Sequence, residues 1–352
     1  MDILEILKKA RNINASDIHI NYGYKIIARA NGKFVSISHE TLDKNDINAL
    51  VKLLIEYKYN KLDFNFNELD FSINFKSEFR IRINIYKQMG VFAIAIRLLK
   101  NKIPTFNELG LPNILENIIN KKRGLILVTG PTGSGKTTTL ASILDYINEN
   151  FQKHIITLED PIEYIYPKKN CIISQREVEN DTKNFLSGLK SSLRQDPDII
   201  LIGEIRDKNT LSTALMAAET GHLVFSTMHT VGASKTIDRM IDMFDNNQQN
   251  QIRMQISNFC EAIISQQLIP EMMNDEMILA SEVMFLTSSI KNLIRDSKTY
   301  QIPNIIQTES KRGMRLMDQS LIDLFKRRKI SKESLISNCM DIEYIQRFNV
   351  LK

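Results

Sequence analysis

The sequence is poor in cysteine and contains no tryptophan. Its three cysteines, Cys171, Cys260 and Cys339, stand far apart, and no CxxC pair occurs among the 352 residues. An odd number of isolated cysteines argues against a disulfide framework and against a zinc ribbon, because both need paired thiols. We therefore expect three reduced thiols, with at least two of them in the core.

Long apolar runs are also missing. No uninterrupted apolar stretch approaches the roughly 18 residues that a membrane-crossing helix needs. The first 17 residues, MDILEILKKARNINASD, place Ile3, Leu4, Ile6 and Leu7 on one helical face. This pattern predicts a short amphipathic helix and differs from that of a signal peptide. The sequence therefore favours a cytoplasmic protein.

Neither sign of charge dominates. There are 46 Lys and Arg against 41 Asp and Glu, which gives a net charge of +5. A mild basic excess suits a protein that handles phosphates, but it is weak evidence for nucleic acid. Because no basic stripe with interleaved aromatic residues is visible, a nucleic-acid translocase is disfavoured and no nucleic-acid partner is expected.

The chain length suggests more than one domain, since a domain usually has roughly 100–200 residues. Residues 1–100 show the pattern of a small α+β domain, and 101–112 has the composition of a linker. From 113 to 352 strands alternate with helices, which predicts an α/β domain with a parallel sheet, and residues from about 287 onward indicate short C-terminal helices. In the first domain, we predict a hairpin at 25–37 around Asn31-Gly32, a helix at 41–57, and strands at 69–75, 79–88 and 91–99.

A glycine-rich segment, GPTGSGKT, lies between a predicted strand, LILVT, and a predicted helix. It fits the phosphate-loop pattern G-x-x-x-x-G-K-[ST] at every fixed position, and the strand and helix are in the required order. Glycines let the backbone amides turn toward phosphate oxygens, and the helix N-terminus adds positive charge. The predicted nucleotide-binding residues are Gly130, Pro131, Thr132, Gly133, Ser134, Gly135, Lys136, Thr137 and Thr138. Lys136 is expected to bridge the β- and γ-phosphates of ATP, and the Thr137 hydroxyl to ligate Mg²⁺.

Two further strands are predicted to end in acids. DPDIILIGEIRD (196–207) carries Glu204 just after a buried strand, and Glu204 is our candidate for holding the Mg²⁺ shell. ITLEDPIEY (156–164) supplies Glu159, Asp160 and Glu163, a cluster suited to polarising an attacking water. The spacing does not decide which of the three is the base.

A fourth predicted strand, TGHLVFSTMHT (220–230), carries a histidine at each end. His229 follows the carboxyl end, where the γ-phosphate is expected, and is the better candidate for sensing the nucleotide. Strand alternation places His222 on one face, and a packed core role competes with a binding role there.

Taken together, GPTGSGKT, ITLEDPIEY, LRQDPDIILIGEIRD and TGHLVFSTMHT resemble the Walker A, Asp box, Walker B and His box of the type II/IV secretion ATPases. More closely, the chain resembles the type IV pilus retraction ATPases, the PilT family. The stretches ASDIHI, SQREVENDTKNF, ASKTIDRMIDMF, KNLIRD and MDQSL are also similar to that family.

The resemblance implies a homohexamer in which an N-terminal PAS-like domain precedes a RecA-like ATPase domain. It implies ATP and Mg²⁺ as ligands, Glu163 as catalytic base and Glu204 as the Walker B glutamate. It also implies that Arg82 and Arg97 reach the phosphates, although both could instead be exposed strand charges. The implied partner is the pilus platform protein of the inner membrane, with which the ATPase associates at the inner face of the cytoplasmic membrane.

ATP-driven pilus retraction, and with it twitching motility, is the function that this resemblance favours. A pilus extension or type II secretion ATPase is an alternative, but such relatives usually add an N-terminal domain and a four-cysteine zinc module. An accessory retraction paralogue also remains open, because Lys291 and Asp296 stand where the family commonly has arginine and glutamate. A nucleotide-binding scaffold without hydrolysis is disfavoured because the lysine and the acids are all present.

Overall fold

The computed structural model describes residues 2–30, 32–59, 65–76, 78–99, 102–111, 116–273 and 276–347. The chain forms two compact units, the first made of residues 1–102 and 161–165 and the second of residues 103–160 and 166–352. Of the sequence predictions, Asn31 in the hairpin turn, the linker ends at 101 and 112, and the first residues of the second predicted domain, 113–115, lie outside the described residues.

In the described part of the first unit, six strands form an antiparallel sheet in the order β3-β2-β1-β6-β5-β4. The predicted amphipathic helix α1 buries Ile3, Ile6, Leu7 and Ala10, and Asp2 caps it by accepting a hydrogen bond from the Leu4 amide at 2.9 Å. The elements are α1 Ile3–Asn12, β1 Ala15–Ile20, β2 Ile27–Ala30, β3 Lys33–Ser36, α2 Lys44–Tyr59, β4 Glu68–Phe75, β5 Phe79–Gln88 and β6 Val91–Leu98.

Strand β5 shows how the sequence sets the two faces of this sheet. Ile81, Ile83 and Ile85 are fully buried, and the residues between them are partly exposed. Because side chains alternate along a strand, the isoleucines face the core and Arg82 lies on the opposite face. The core of this unit therefore fixes where the predicted arginines lie.

In the described part of the second unit, seven strands form a sheet in the order β13-β12-β7-β11-β10-β8-β9. Strands β7, β10 and β11 are buried along their whole length, as expected for parallel strands covered on both faces. The strands are β7 Gly124–Thr129, β8 His154–Glu159, β9 Ile172–Glu177, β10 Ile199–Ile202, β11 Leu223–Met228, β12 Cys260–Pro270 and β13 Met277–Phe285.

Helices surround this sheet and continue beyond it to the C-terminal end of the described chain. They are α3 Phe106–Leu109, α4 Glu116–Ile119, α5 Lys136–Asn150, α6 Phe185–Ser192, α7 Lys208–Glu219, α8 Ala233–Asp242, α9 Asn246–Phe259, α10 Ser288–Arg295, α11 Ile302–Thr308, α12 Met317–Lys326, α13 Lys332–Asn338 and α14 Ile342–Arg347. None of the described helices is long and apolar enough to span a bilayer.

The predicted α/β class is confirmed, with an antiparallel N-terminal sheet, a mainly parallel second sheet and C-terminal helices. Strands β1, β9, β12 and β13 were not predicted from the sequence. Strand β13 pairs antiparallel with β12, so the sheet carries one antiparallel edge. Strand β12 is long and mostly buried without a clean two-residue alternation, which is why its pattern did not stand out.

The expectation that at least two cysteines lie in the core is wrong. Cys260 is buried at the start of β12, but Cys171 and Cys339 are only partly buried in loops. Burial raises the pKa of the Cys260 thiol to about 12. All three cysteines are free.

We expect Cys260 to resist alkylation in the folded protein. With a pKa near 12 only about one thiol in ten thousand is ionised at pH 8, and the thiolate is the reactive form. A maleimide should label Cys171 and Cys339 first, and Cys260 only after denaturation or as the pH approaches 12, as measured by mass spectrometry of peptides. Equal labelling of all three in the native protein at pH 8 would contradict this burial.

Candidate nucleotide site

The parallel strands β7, β11, β10 and β8 end together at one edge of the second sheet. Their registers pair Thr129 with Met228, Ser226 with Ile202, and Ile202 with Leu158. The loops that follow these strands therefore leave from the same edge, where ligands bind in open α/β sheets. The phosphate loop, His229, Glu204 and Asp160 lie in these loops, and Glu159 is the last residue of β8.

The phosphate loop follows β7 and needs glycine at defined positions. Gly133 and Gly135 have φ of +81° and +84°, in the left-handed region. At Gly130 the constraint is also steric, because a Cβ there would lie 2.3 Å from the backbone oxygen of Gln266 and 2.6 Å from Ser134 Oγ. The loop backbone is therefore packed tightly against strand β12.

Helix α5 begins at Lys136 and runs for 15 residues. Lys136 is buried, and its Nζ donates hydrogen bonds to the backbone oxygens of Gly130 and Pro131, each at 2.9 Å. The preceding Gly135 has no side chain that could cap the helix amides. An uncapped helix N-terminus with an adjacent ammonium group is suited to holding an anion such as phosphate.

Ser134, Thr137 and Thr138 carry hydroxyl groups close to the start of α5. Thr137 and Thr138 are half-buried in the first turn of α5. Within the described ranges, the buried Ser134 Oγ has no hydrogen-bond partner. An unsatisfied buried hydroxyl beside uncapped amides fits a site that receives further polar atoms from a ligand.

Glu204, which follows β10, is held by two side chains, Arg206 and His229. Its Oε1 accepts a short hydrogen bond from the Arg206 guanidinium, and its Oε2 lies 3.1 Å from His229 Nε2. Burial alone would raise the pKa of Glu204, but the hydrogen bonds and charges of Arg206 and His229 outweigh it. The pKa of Glu204 therefore lies below its usual value, and the carboxylate is ionised near neutral pH.

The three Asp-box acids lie in different surroundings. Glu159, the last residue of β8, is buried and accepts hydrogen bonds from Thr157 Oγ1 at 2.6 Å and from Gln175 Nε2 at 3.1 Å. Asp160 is exposed just beyond the strand. Glu163 belongs to segment 161–165, which groups with the first unit.

That segment is tied to the first unit by Arg80. The Arg80 Nε and Nη2 atoms donate to the Ile162 backbone oxygen at 3.2 and 2.9 Å. The catalytic-base role of Glu163 stays a prediction.

His222 lies at the opposite edge of the sheet from the phosphate loop. It precedes β11, and its backbone oxygen accepts from the Gly124 amide at the amino end of β7. Its Nδ1 is 3.0 Å from the Ala217 backbone oxygen. Six strand residues, roughly 20 Å, therefore separate it from His229, and the structure does not bring His222 to this loop.

Arg82 and Arg97 face each other across β5 and β6 in the first unit. Like charges at paired positions repel, and each guanidinium is bound by a carboxylate of a neighbouring strand. Arg82 Nη2 lies 2.7 Å from Asp70 Oδ2, and Arg97 Nε lies 3.0 Å from Asp17 Oδ1. Contact of these arginines with phosphate stays a prediction.

Two residues of the second-unit site were missed by sequence reasoning. Arg206 lies inside the GEIRD motif, so its spacing from Glu204 was a usable signal. Gln266 gave no such signal, because it lies far along the sequence from the residues it contacts. Its backbone oxygen packs against Gly130, and its Nε2 donates a hydrogen bond to Thr139 Oγ1 at 2.8 Å, across a separation of 127 residues.

The site offers few protein ligands to a metal. Among the described residues, no group of three or more His, Cys, Asp or Glu side chains is placed to hold a metal ion. Mg²⁺ is often bound through one or two protein groups together with substrate phosphates. The Thr137 hydroxyl and the ionised Glu204 fit that kind of site.

The chain is similar to known proteins in both sequence and structure. Residues 2–291 match the family model described as type II/IV secretion system protein. The type IV pilus retractation ATPase PilT of Pseudomonas aeruginosa is 41% identical over 334 residues, covering 95% of this chain and 97% of that protein. The chain belongs to the PilT family.

Two further similarities support this placement. A twitching motility protein of Neisseria gonorrhoeae is 38% identical over 306 residues, covering 87% of this chain and 82% of that protein. A crystal structure of the pilus retraction motor PilT with bound ADP superimposes with a TM-score of 0.89 at 40% identity, covering 99% of both chains. The resemblance to the PilT family that the motifs indicated is confirmed.

We expect Gly130→Ala to weaken nucleotide binding at least tenfold, about 1.4 kcal/mol, because the added Cβ collides with Gln266 and Ser134. The measurement is titration with a fluorescent ADP derivative. Gly221→Ala is a matched control, since Gly221 also has positive φ, +112°, but open space around it and lies at the opposite sheet edge. Wild-type affinity in Gly130→Ala would contradict the tight packing of the loop.

Proposed function

We propose that this chain hydrolyses ATP and that the phosphate loop of the second unit binds the triphosphate. The observation that supports this proposal is that three features lie at one edge of the sheet. They are the buried Lys136, the uncapped start of α5, and the Glu204 carboxylate bound by His229. Lys136 supplies positive charge to the β- and γ-phosphates, and the loop amides hold their oxygens.

Mg²⁺, when bound, neutralises charge that develops on the phosphate oxygens. The Thr137 hydroxyl is the proposed direct ligand, and Glu204 orients the surrounding shell. Its lowered pKa suits this role because the carboxylate stays ionised near neutral pH. His229 contacts Glu204 and lies after β11, next to β7 and its phosphate loop, and we assign it the sensing of the bound nucleotide.

We propose type IV pilus retraction as the work that this hydrolysis drives. Support comes from PilT of Pseudomonas aeruginosa, a relative of which the chain covers 97%. By the same similarity we propose a homohexamer that acts from the cytoplasm on a pilus platform protein of the inner membrane. ATP cleavage would then change the conformation of each subunit, and such steps often limit the rate of motor-like enzymes.

Several residue roles within this proposal rest on the family resemblance. They are Glu163 as the catalytic base and Arg82 and Arg97 as phosphate-contacting arginines. The division into domains 1–100 and 113–352 with linker 101–112 stays a prediction from the sequence pattern. An extension or secretion ATPase, or an accessory retraction protein, would use the same nucleotide chemistry. A scaffold that binds nucleotide without hydrolysis is the alternative of a different class.

The chemistry is tested with the purified chain, ATP and Mg²⁺. We expect Lys136→Ala to lose nucleotide binding and turnover, and Glu204→Gln to bind ATP but turn over at least about a hundredfold more slowly. Glu219→Gln, an exposed carboxylate at the end of α7, is the control and should retain wild-type turnover. Equal and negligible turnover in wild type and Glu204→Gln would favour the scaffold.

The cellular role is tested by deleting the gene. Retraction predicts long filaments that stay extended and a loss of surface motility, because assembly continues without disassembly. The matched comparison is complementation of the deletion. The wild-type gene should restore retraction and surface motility, and the Lys136→Ala gene should not. Loss of filaments on deletion would instead indicate an extension ATPase.

A further inference from the structure

Arg206 binds the carboxylate of Glu204, and the charge of Asp160, at the end of the neighbouring strand, also acts on it. Strands β8 and β10 are paired neighbours, so Asp160 and Glu204 follow them at the same sheet edge. The Arg206 guanidinium bonds Glu204 Oε1. The hydrogen bond to Glu204 is the main reason that the pKa of Arg206 lies above its usual value, and the nearby charge of Asp160 adds to it.

His229 and Asp160 follow the strands on opposite sides of β10, the strand that ends before Glu204. His229 follows β11, which lies between β10 and the phosphate-loop strand β7. Asp160, whose charge also acts on Arg206, follows β8 on the other side of β10. Each carboxylate oxygen of Glu204 is thus bound by a different residue, Oε1 by Arg206 and Oε2 by His229.

The contacts with Arg206 and His229 restrict the orientation of the Glu204 carboxylate in a way that burial alone does not. A glutamate side chain has several rotatable bonds, so its carboxylate stays in one orientation only where partners hold it. Arg206 binds Oε1 while His229 contacts Oε2, and the two contacts together restrict those rotations. We propose that Arg206 is a positioning residue for ATP hydrolysis, which holds the Glu204 carboxylate in place beside His229 at the phosphate-loop edge.

The proposal rests on the proposed ATPase function, and it assigns Arg206 no contact with ATP. Removing Arg206 should therefore slow turnover without weakening nucleotide binding. For Arg206→Gln we expect kcat to fall about 10–100-fold, the range found when partners of active-site ligands are removed, and KM for ATP to change less than about threefold. Arg206→Lys keeps the charge and should restore part of the lost kcat.

Dependence on Glu204 distinguishes positioning from a direct role. If Arg206 acts through Glu204, the double variant Glu204→Gln/Arg206→Gln should turn over no more slowly than Glu204→Gln alone. Arg312→Gln is the matched control, because Arg312 is equally exposed, 68% against 66%, and also pairs with a nearby acid, Glu309. Its kcat should match wild type.

A second measurement tests the contact between Arg206 and Glu204 without relying on turnover. The effects of Arg206→Gln and Glu204→Gln on the thermal unfolding midpoint should not add. The double variant should be at least as stable as the less stable of the two single variants. Additive shifts in the unfolding midpoint, or a wild-type kcat in Arg206→Gln, would overturn the proposal. If the wild-type chain itself failed to hydrolyse ATP, the proposed function would fail, and the unfolding measurements would still decide whether Arg206 holds Glu204.

Discussion

The parallel pairing of β7, β11, β10 and β8 is the constraint on which the site depends. Residues in neighbouring parallel strands run in register, so the strand ends meet at one edge and present the phosphate loop, His229, Glu204 and Glu159 side by side. The same strands are buried along most of their length and contribute to a continuous apolar core. A change that disturbed strand register would therefore alter the site and the core together.

Ionisable side chains along this edge follow the strand order. The buried Lys136 follows β7, His229 follows β11, Glu204 and Arg206 follow β10, and Asp160 follows β8. The contact of the Arg206 guanidinium with the Glu204 carboxylate offsets part of the cost of withdrawing that carboxylate from water. Burial disfavours the ionised form of Glu204, but the partners bound to its two oxygens outweigh that cost, so the pKa of Glu204 lies below its usual value.

Local patterns in the sequence predicted much of this site. The phosphate loop and the acids after β8 and β10 are short motifs whose chemistry depends on neighbours in the chain. Gln266 could not be predicted in this way, because its support of Gly130 comes from pairing between strands distant in sequence. The ion pairs of Arg82 with Asp70 and of Arg97 with Asp17 also depend on strand pairing, so they could not be predicted from local patterns either.

His222 shows the limit of reasoning from a motif. Both histidines belong to one short segment, but a six-residue strand separates them, so they lie at opposite edges of the sheet. Strand β12 shows a related limit, because it is buried without clear alternation and is extended by an antiparallel neighbour. In each case the outcome depends on sheet topology, which local periodicity does not contain.

The central claim is that this sheet edge holds a metal-bound triphosphate between the phosphate loop and Glu204. The most direct measurement is a crystal structure of the chain with Mn²⁺ and a non-hydrolysable ATP analogue, with manganese located by its anomalous scattering. We predict manganese ligated by the Thr137 hydroxyl and by phosphate oxygens, with Glu204 next to its ligand shell. Manganese remote from Thr137, or a triphosphate that makes no contact with residues 130–137, would contradict the claim.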